Sequence, residues 1–260
     1  MSQDAPQFLE VGAGPERRSI AFRRRPPARE GLPGVVWMCG LNSDMTSAKA
    51  RALDEHCARR GQALLRFDYS GHGASGGRFA DGTASRWLEE SLAAFRSQTR
   101  GRQIVAGSSM GGYLALLLAR ALAAAGEAER LAGLVLLAPA VDFTEDLIWA
   151  HADAAQRRAL EEKGVAEFPS GYADQPYRIS RALIEDGRRH LLLGATVRTH
   201  CPTRILQGMR DEDVPYRRAL TLIERMAGDP VTLTLIKDGD HRLSRPQDLA
   251  LLSEAIDAFA

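Results

Sequence analysis

The chain has 260 residues, 45% of them apolar, with 34 Lys and Arg against 33 Asp and Glu, which suits one large globular domain with a substantial core. That composition excludes a disordered, collagen-like or coiled-coil protein, and a net charge of +1 gives no electrostatic ground for nucleic-acid binding. Three cysteines with no CxxC pair argue against a disulfide framework and for a reducing compartment. The N-terminus, Met1 to Glu10, lacks the apolar core of a signal peptide. The longest apolar stretches, Tyr113–Ala119 and Leu131–Val141, fall short of the roughly 20 residues of a membrane span. The expectation is a cytoplasmic protein with no membrane span.

In chain order, two β-rich runs come first, Ser19–Arg23 and Val35–Cys39, followed by a helical pattern over Ser47–Arg60. Strand and helix then alternate: Ala63–Asp68 with Ser85–Gln98, Ile104–Gly107 with Met110–Ala124, then the strand Gly133–Leu137. After a long interruption come Arg204–Gln207 with Arg217–Met226, and Thr232–Ile236 with Pro246–Phe259. Several strands are continuously apolar, as expected when helices cover both faces of a sheet. The order predicts an α/β fold, a doubly wound, mostly parallel sheet in a single domain over residues 1–260. The interruption, residues 141–200, is mostly helical and charged with no convincing strand. It is far longer than an ordinary connection. A helical cap inserted over the carboxyl edge of the sheet is the expectation; surface helices remote from any site are the alternative.

G-x-S-x-G occurs twice, at Gly73–Gly77 and at Gly107–Gly111. A serine nucleophile needs a sharp turn between strand and helix, which lifts its hydroxyl out of the sheet. Ser109 has a buried-strand pattern before it and a buried-helix pattern after it; Ser75 sits in loop sequence throughout. Ser109 is therefore the nucleophile candidate. At the start of its helix, the Met110 N–H would face a developing oxyanion. The second donor is expected from Gly40-Leu41-Asn42-Ser43 after the second strand, with the Leu41 N–H nominated.

A serine hydroxyl needs a base, and the base an orienting acid. Of six histidines, His241 lies after the last strand and before the last helix, at the carboxyl edge. His72 also follows a strand, but in a Gly-rich turn. Asp211, after the penultimate strand, is the favoured acid. Asp213 remains a rival and would otherwise serve as a helix cap. The order Ser109, Asp211, His241 is that of α/β-hydrolases. No cluster has metal-ligand spacing, so neither a metal nor an organic cofactor is expected.

Taken together, Gly107-Ser108-Ser109-Met110-Gly111-Gly112, Gly208-Met209-Arg210-Asp211-Glu212-Asp213-Val214-Pro215 and Asp240-His241-Arg242 resemble the α/β-hydrolase superfamily. Within it the chain resembles the palmitoyl-protein thioesterase and mycophenolic acid acyl-glucuronide esterase family. The stretches that carry this are Arg66-Phe67-Asp68-Tyr69-Ser70-Gly71, Glu162-Lys163-Gly164-Val165, Pro169-Ser170-Gly171-Tyr172 and Cys201-Pro202. The resemblance runs from about residue 18 to 255 and includes the inserted segment. It implies a serine hydrolase of thioesters and carboxylic esters with Ser109, Asp211 and His241 as its triad, acting on a small-molecule or acylated-protein substrate.

Because no Arg/Ser-rich, acid-poor transit peptide is present, the family's mitochondrial location is not expected to carry over. A bacterial, cytoplasmic relative is expected. Phe143, Leu147, Ile148, Trp149, Phe168 and Tyr172 are candidates to line an acyl channel, with packing of the inserted segment onto the sheet as the alternative role. A hydrolase of another carbonyl substrate, and a non-catalytic ligand receptor on the same fold, remain the competing readings.

Overall fold

The computed structural model describes residues 5–169 and 176–260. Its centre is an eight-stranded sheet. In chain order the strands are β1 (Gln7–Val11), β2 (Arg18–Arg25), β3 (Gly34–Met38), β4 (Leu64–Phe67), β5 (Gln103–Ser108), β6 (Leu131–Leu137), and, beyond a hairpin described below, β9 (Thr203–Gly208) and β10 (Val231–Ile236). Their spatial order is β1-β2-β4-β3-β5-β6-β9-β10. The pairs β1–β2 and β2–β4 are antiparallel, and the rest are parallel.

Continuous burial of β3, β5 and β6 explains their unbroken apolar sequence: both faces are covered. Val36 and Met38 share one core with residues of α2 (Ala84–Gln98), α3 (Met110–Ala124) and α6 (Arg217–Arg225). Their neighbours Val35 and Trp37 share the other with α1 (Ala48–Arg60) and α7 (Pro246–Asp257). The helix ends follow local chemistry. Gly61 closes α1 in the left-handed region at φ 66°, and the Thr83 side chain accepts the Arg86 N–H at the start of α2. Among the described residues no helix is long and apolar enough to cross a membrane.

Two elements differ from the sequence reading. Gln7–Val11 is a strand although only Val11 is buried, because an antiparallel edge pairs through its backbone and leaves a faint apolar pattern. The segment between β6 and β9 is not purely helical either. It holds a π-helical turn (Thr144–Trp149), α4 (Ala154–Lys163), a hairpin of β7 (Val165–Phe168) and β8 (Tyr177–Ser180), and α5 (Arg181–Gly187). Each hairpin strand buries a single residue, Ala166 or Ile179, too little for an alternation to show in sequence.

Buried aspartates close this segment on itself and tie it to the body. Asp142, at its start, accepts the N–H groups of Leu192 (2.8 Å) and Leu193 (2.9 Å) near its end. Asp186 accepts both the N–H and the hydroxyl of Ser85 on α2, each at 2.8 Å.

The turn from β5 into α3 depends on a backbone contact that only glycine permits. A Cβ on Gly111 would sit 2.1 Å from the Met38 carbonyl oxygen and 2.5 Å from that of Cys39. Both obstacles are backbone of a central strand and its exit, so neither can yield cheaply. Gly111→Ala is expected to destabilise the fold by more than about 4 kcal/mol, in the range reserved for such steric conflicts. Denaturant unfolding checks this, and an unchanged midpoint would contradict the packing described.

Candidate active site

Four loops at the carboxyl ends of parallel strands meet in one place. They follow β3, β5, β9 and β10, the edge where α/β sheets form crevices.

Ser109 sits between β5 and α3 at φ 55°, ψ −120°, a strained conformation for a residue with a Cβ. The surrounding backbone over-determines it. Its N–H donates to the Leu137 carbonyl at 2.8 Å, and its carbonyl accepts the N–H groups of Gly112 (3.0 Å) and Ala140 (3.1 Å). Held this way, its Oγ lies 3.0 Å from His241 Nε2.

His241 Nδ1 lies 2.8 Å from Asp211 Oδ2. A carboxylate oxygen accepts, so Nδ1 carries the proton and Nε2 is left to accept from the serine hydroxyl. The Asp211 side chain is fully buried, and that of His241 is 13% exposed. Asp211 also accepts from Gln207 Nε2 (3.0 Å) and from the Asp213 (3.0 Å) and Val214 (2.7 Å) N–H groups. With four donors on two oxygens, the carboxylate has one orientation. The acid and base loops lie tightly together because Gly208 has no side chain; a Cβ there would meet the Gly239 carbonyl at 2.4 Å.

The structure thus brings Ser109, His241 and Asp211 into one hydrogen-bonded row. Asp213 is exposed and lines the cavity beside it. It does not cap α6, whose N-cap is Tyr216. The sequence reading missed Gln207, although a polar residue at the inner end of the apolar run Ile205-Leu206 was a signal. Asp211, Asp213 and His241 place potential ligand atoms within 4.8 Å of one another, but both Asp211 oxygens and His241 Nδ1 are already engaged in hydrogen bonds.

The other candidates have structural employment. The Ser75 hydroxyl donates to the Asp68 carbonyl (2.7 Å) and accepts the Ala21 N–H (2.8 Å). His72 is buried edge-on to Tyr69 and Trp87, and burial holds its pKa below the usual imidazole value. His56 pairs with Asp257 at 2.8 Å.

A cavity of about 730 Å³ opens over the row, within the range of small-molecule sites. Leu41 and Met110 both line it, and neither N–H donates to a partner among the described residues. The inserted segment supplies an apolar wall of Phe143, Leu147, Ile148 and Phe168, joined by Tyr177 and Ile179 of β8.

Two expected lining residues stand differently. Trp149 does not line the cavity; it is half-buried against the main core, and the guanidinium groups of Arg157 (5.2 Å) and Arg188 (5.0 Å) lie over its ring. Tyr172 lies outside the described residues.

Sheet order, strained strand-to-helix turn and chain order of the three polar side chains together define an α/β-hydrolase. Comparison with known proteins agrees. The Hydrolase_4 family model, described as serine aminopeptidase, S33, matches residues 35–248, and the chain belongs to that family. Human mitochondrial palmitoyl-protein thioesterase ABHD10 is 32% identical over 264 residues, covering 98% of this chain and 84% of the relative. The structure of mouse α/β-hydrolase domain-containing protein 10 superposes with a TM-score of 0.84 at 33% identity, covering 98% and 97% of the two chains. A crystal structure from Agrobacterium vitis S4 gives 0.95 at 47% identity, covering 98% of each chain. The resemblance carried by the motifs is therefore one of the whole chain.

Proposed function

We propose that the protein hydrolyses acyl thioesters and carboxylic esters through an acyl-enzyme on Ser109. The observation that carries this reading is Ser109 on its strained turn, 3.0 Å from a histidine whose far nitrogen is fixed by a buried carboxylate. It is supported by the apolar wall of the cavity and by the palmitoyl-protein thioesterases among the relatives.

In this mechanism His241 Nε2 takes the Ser109 proton as Oγ attacks the acyl carbonyl carbon. The oxyanion is received by the Met110 and Leu41 N–H groups, each donor contributing about 3–4 kcal/mol to the transition state. The tetrahedral intermediate collapses, and the thiol or alcohol departs with the proton from His241. Water then attacks the acyl-enzyme with His241 again as base, releasing the carboxylic acid and restoring Ser109. Asp211 keeps the imidazole in the productive tautomer and stabilises the imidazolium that forms.

The test is a chain-length series of acyl thioesters against matched oxygen esters. Turnover that rises with chain length is expected, since each buried methylene adds about 0.8 kcal/mol. Ile148→Trp, which narrows the apolar wall, is expected to weaken long chains on the order of tenfold more than short ones. Trp149→Ala, outside the cavity, is expected to leave the length profile unchanged. Flat, negligible turnover across both series would defeat the reading and bring the ligand-receptor alternative forward.

A further inference from the structure

Only three of the chain's 34 basic Lys and Arg side chains are lysines, and one of them, Lys49, lines the cavity beside the candidate base. It is the second residue of α1, and its side chain crosses to the loop after β10. There Nζ donates to the Arg242 carbonyl and lies 3.4 Å from Ser244 Oγ. Arg242 directly follows His241, so the carbonyl that Lys49 holds belongs to the residue next to the imidazole in the chain.

That loop needs holding. Leu243 lies at φ 42°, and no residue of the 237–245 stretch belongs to a strand or helix. The Gly239 carbonyl accepts the Arg210 N–H at 2.9 Å, and the Asp211 carboxylate orients the ring. The Arg242 carbonyl accepts from Ser244 Oγ (2.9 Å) within the loop and from Lys49, which ties it to α1. An ammonium suits this place better than a guanidinium. It is a compact point donor on a slim stem, whereas the planar fork of arginine needs a broader acceptor.

We propose that Lys49 is a positioning residue for the reaction: by tying the Arg242 carbonyl to α1, it fixes the His241 loop so that Nε2 meets the Ser109 hydroxyl. The proposal rests on the hydrolase reading of the site. Charge contributes to the tie. Burial, and after it the neighbouring Arg242, lower the Lys49 pKa to about 8, against the opposing pull of Asp240 and of Asp248 on α7. Lys49 is therefore charged below about pH 8 and loses its charge as pH rises through that value.

The experiment compares fluorophosphonate labelling rates and ester kinetics of the wild type, Lys49→Met and Lys49→Cys, the last before and after alkylation with 2-bromoethylamine. Cys39, Cys57 and Cys201 are buried, so alkylation is directed to position 49. Lys49→Met keeps most of the stem and is expected to fold with an unchanged Tm. Labelling rate and kcat are both expected to fall on the order of tenfold to a hundredfold, as a displaced catalytic group predicts, with KM nearly constant. Alkylated Lys49→Cys, which regains an ammonium, is expected to recover most of the rate. The wild-type rate is expected to carry a decline through about pH 8 that Lys49→Met lacks.

Labelling of Lys49→Met at the wild-type rate with a superimposable pH profile would overturn the proposal, as would an effect confined to KM. Failure of the wild type itself to label would instead remove the hydrolase reading, so the two outcomes are distinguishable.

Discussion

Ser109→Ala is expected to lower kcat on the order of a millionfold, the loss seen when the nucleophile of such a unit is removed, while leaving the fold unchanged. The two halves of that expectation come from different parts of the structure. Activity collapses because the hydroxyl removed is the one that lies 3.0 Å from His241 Nε2 and gives up its proton to that base. Stability persists because alanine keeps the Cβ and hence the same backbone cost at φ 55°. The hydrogen bonds that hold the turn are all made by its backbone. Stopped assays at high enzyme concentration together with thermal unfolding check both halves. Residual turnover within tenfold of wild type would place the nucleophile elsewhere.

The second large effect separates two acids that sequence left in competition. Asp211→Asn is expected to reduce kcat by about 10⁴, because an amide that presents its NH2 to Nδ1 favours the wrong imidazole tautomer. Asp213→Asn is expected to remain within about tenfold of wild type. The geometry explains the contrast: the Asp211 side chain is fully buried and lies 2.8 Å from His241 Nδ1, with Gln207 and two backbone N–H groups fixing it. Asp213 contributes its own N–H to that fixation, but its side chain is exposed at the cavity. Equal losses from the two substitutions would show that the acid is shared.

Much of this arrangement was legible in the residues. The buried strands announced themselves because a sheet covered on both faces needs continuous apolar sequence, and Ile104-Val105-Ala106 before Ser109 is such a run. The turn was legible because small residues at Gly107 and Gly111 are a steric necessity. His241 could be found because its loop lies at the carboxyl edge.

The elements that escaped carry little hydrophobic signal. Gln7–Val11 buries one residue, and the hairpin of Val165–Phe168 with Tyr177–Ser180 buries two. The cavity wall was partly misread for the same reason. An aromatic residue in an inserted segment can face the cavity or the outside, and periodicity does not distinguish them when the local helix is a π-turn. Trp149 packs against the main core beneath Arg157 and Arg188, whereas Tyr177 and Ile179 reach the cavity from a strand that the sequence did not show. Lys49 carries no such signal in the sequence either. Its reach across to the Arg242 carbonyl is a tertiary contact between residues 193 positions apart in sequence.

The central claim is that Ser109 is an activated nucleophile. The most direct test is the intact mass of the wild type and of Ser109→Ala after incubation with a fluorophosphonate. The account predicts a single adduct on the wild type, mapped to Ser109, and none on the variant. No adduct on either, or equal labelling of both, would contradict it.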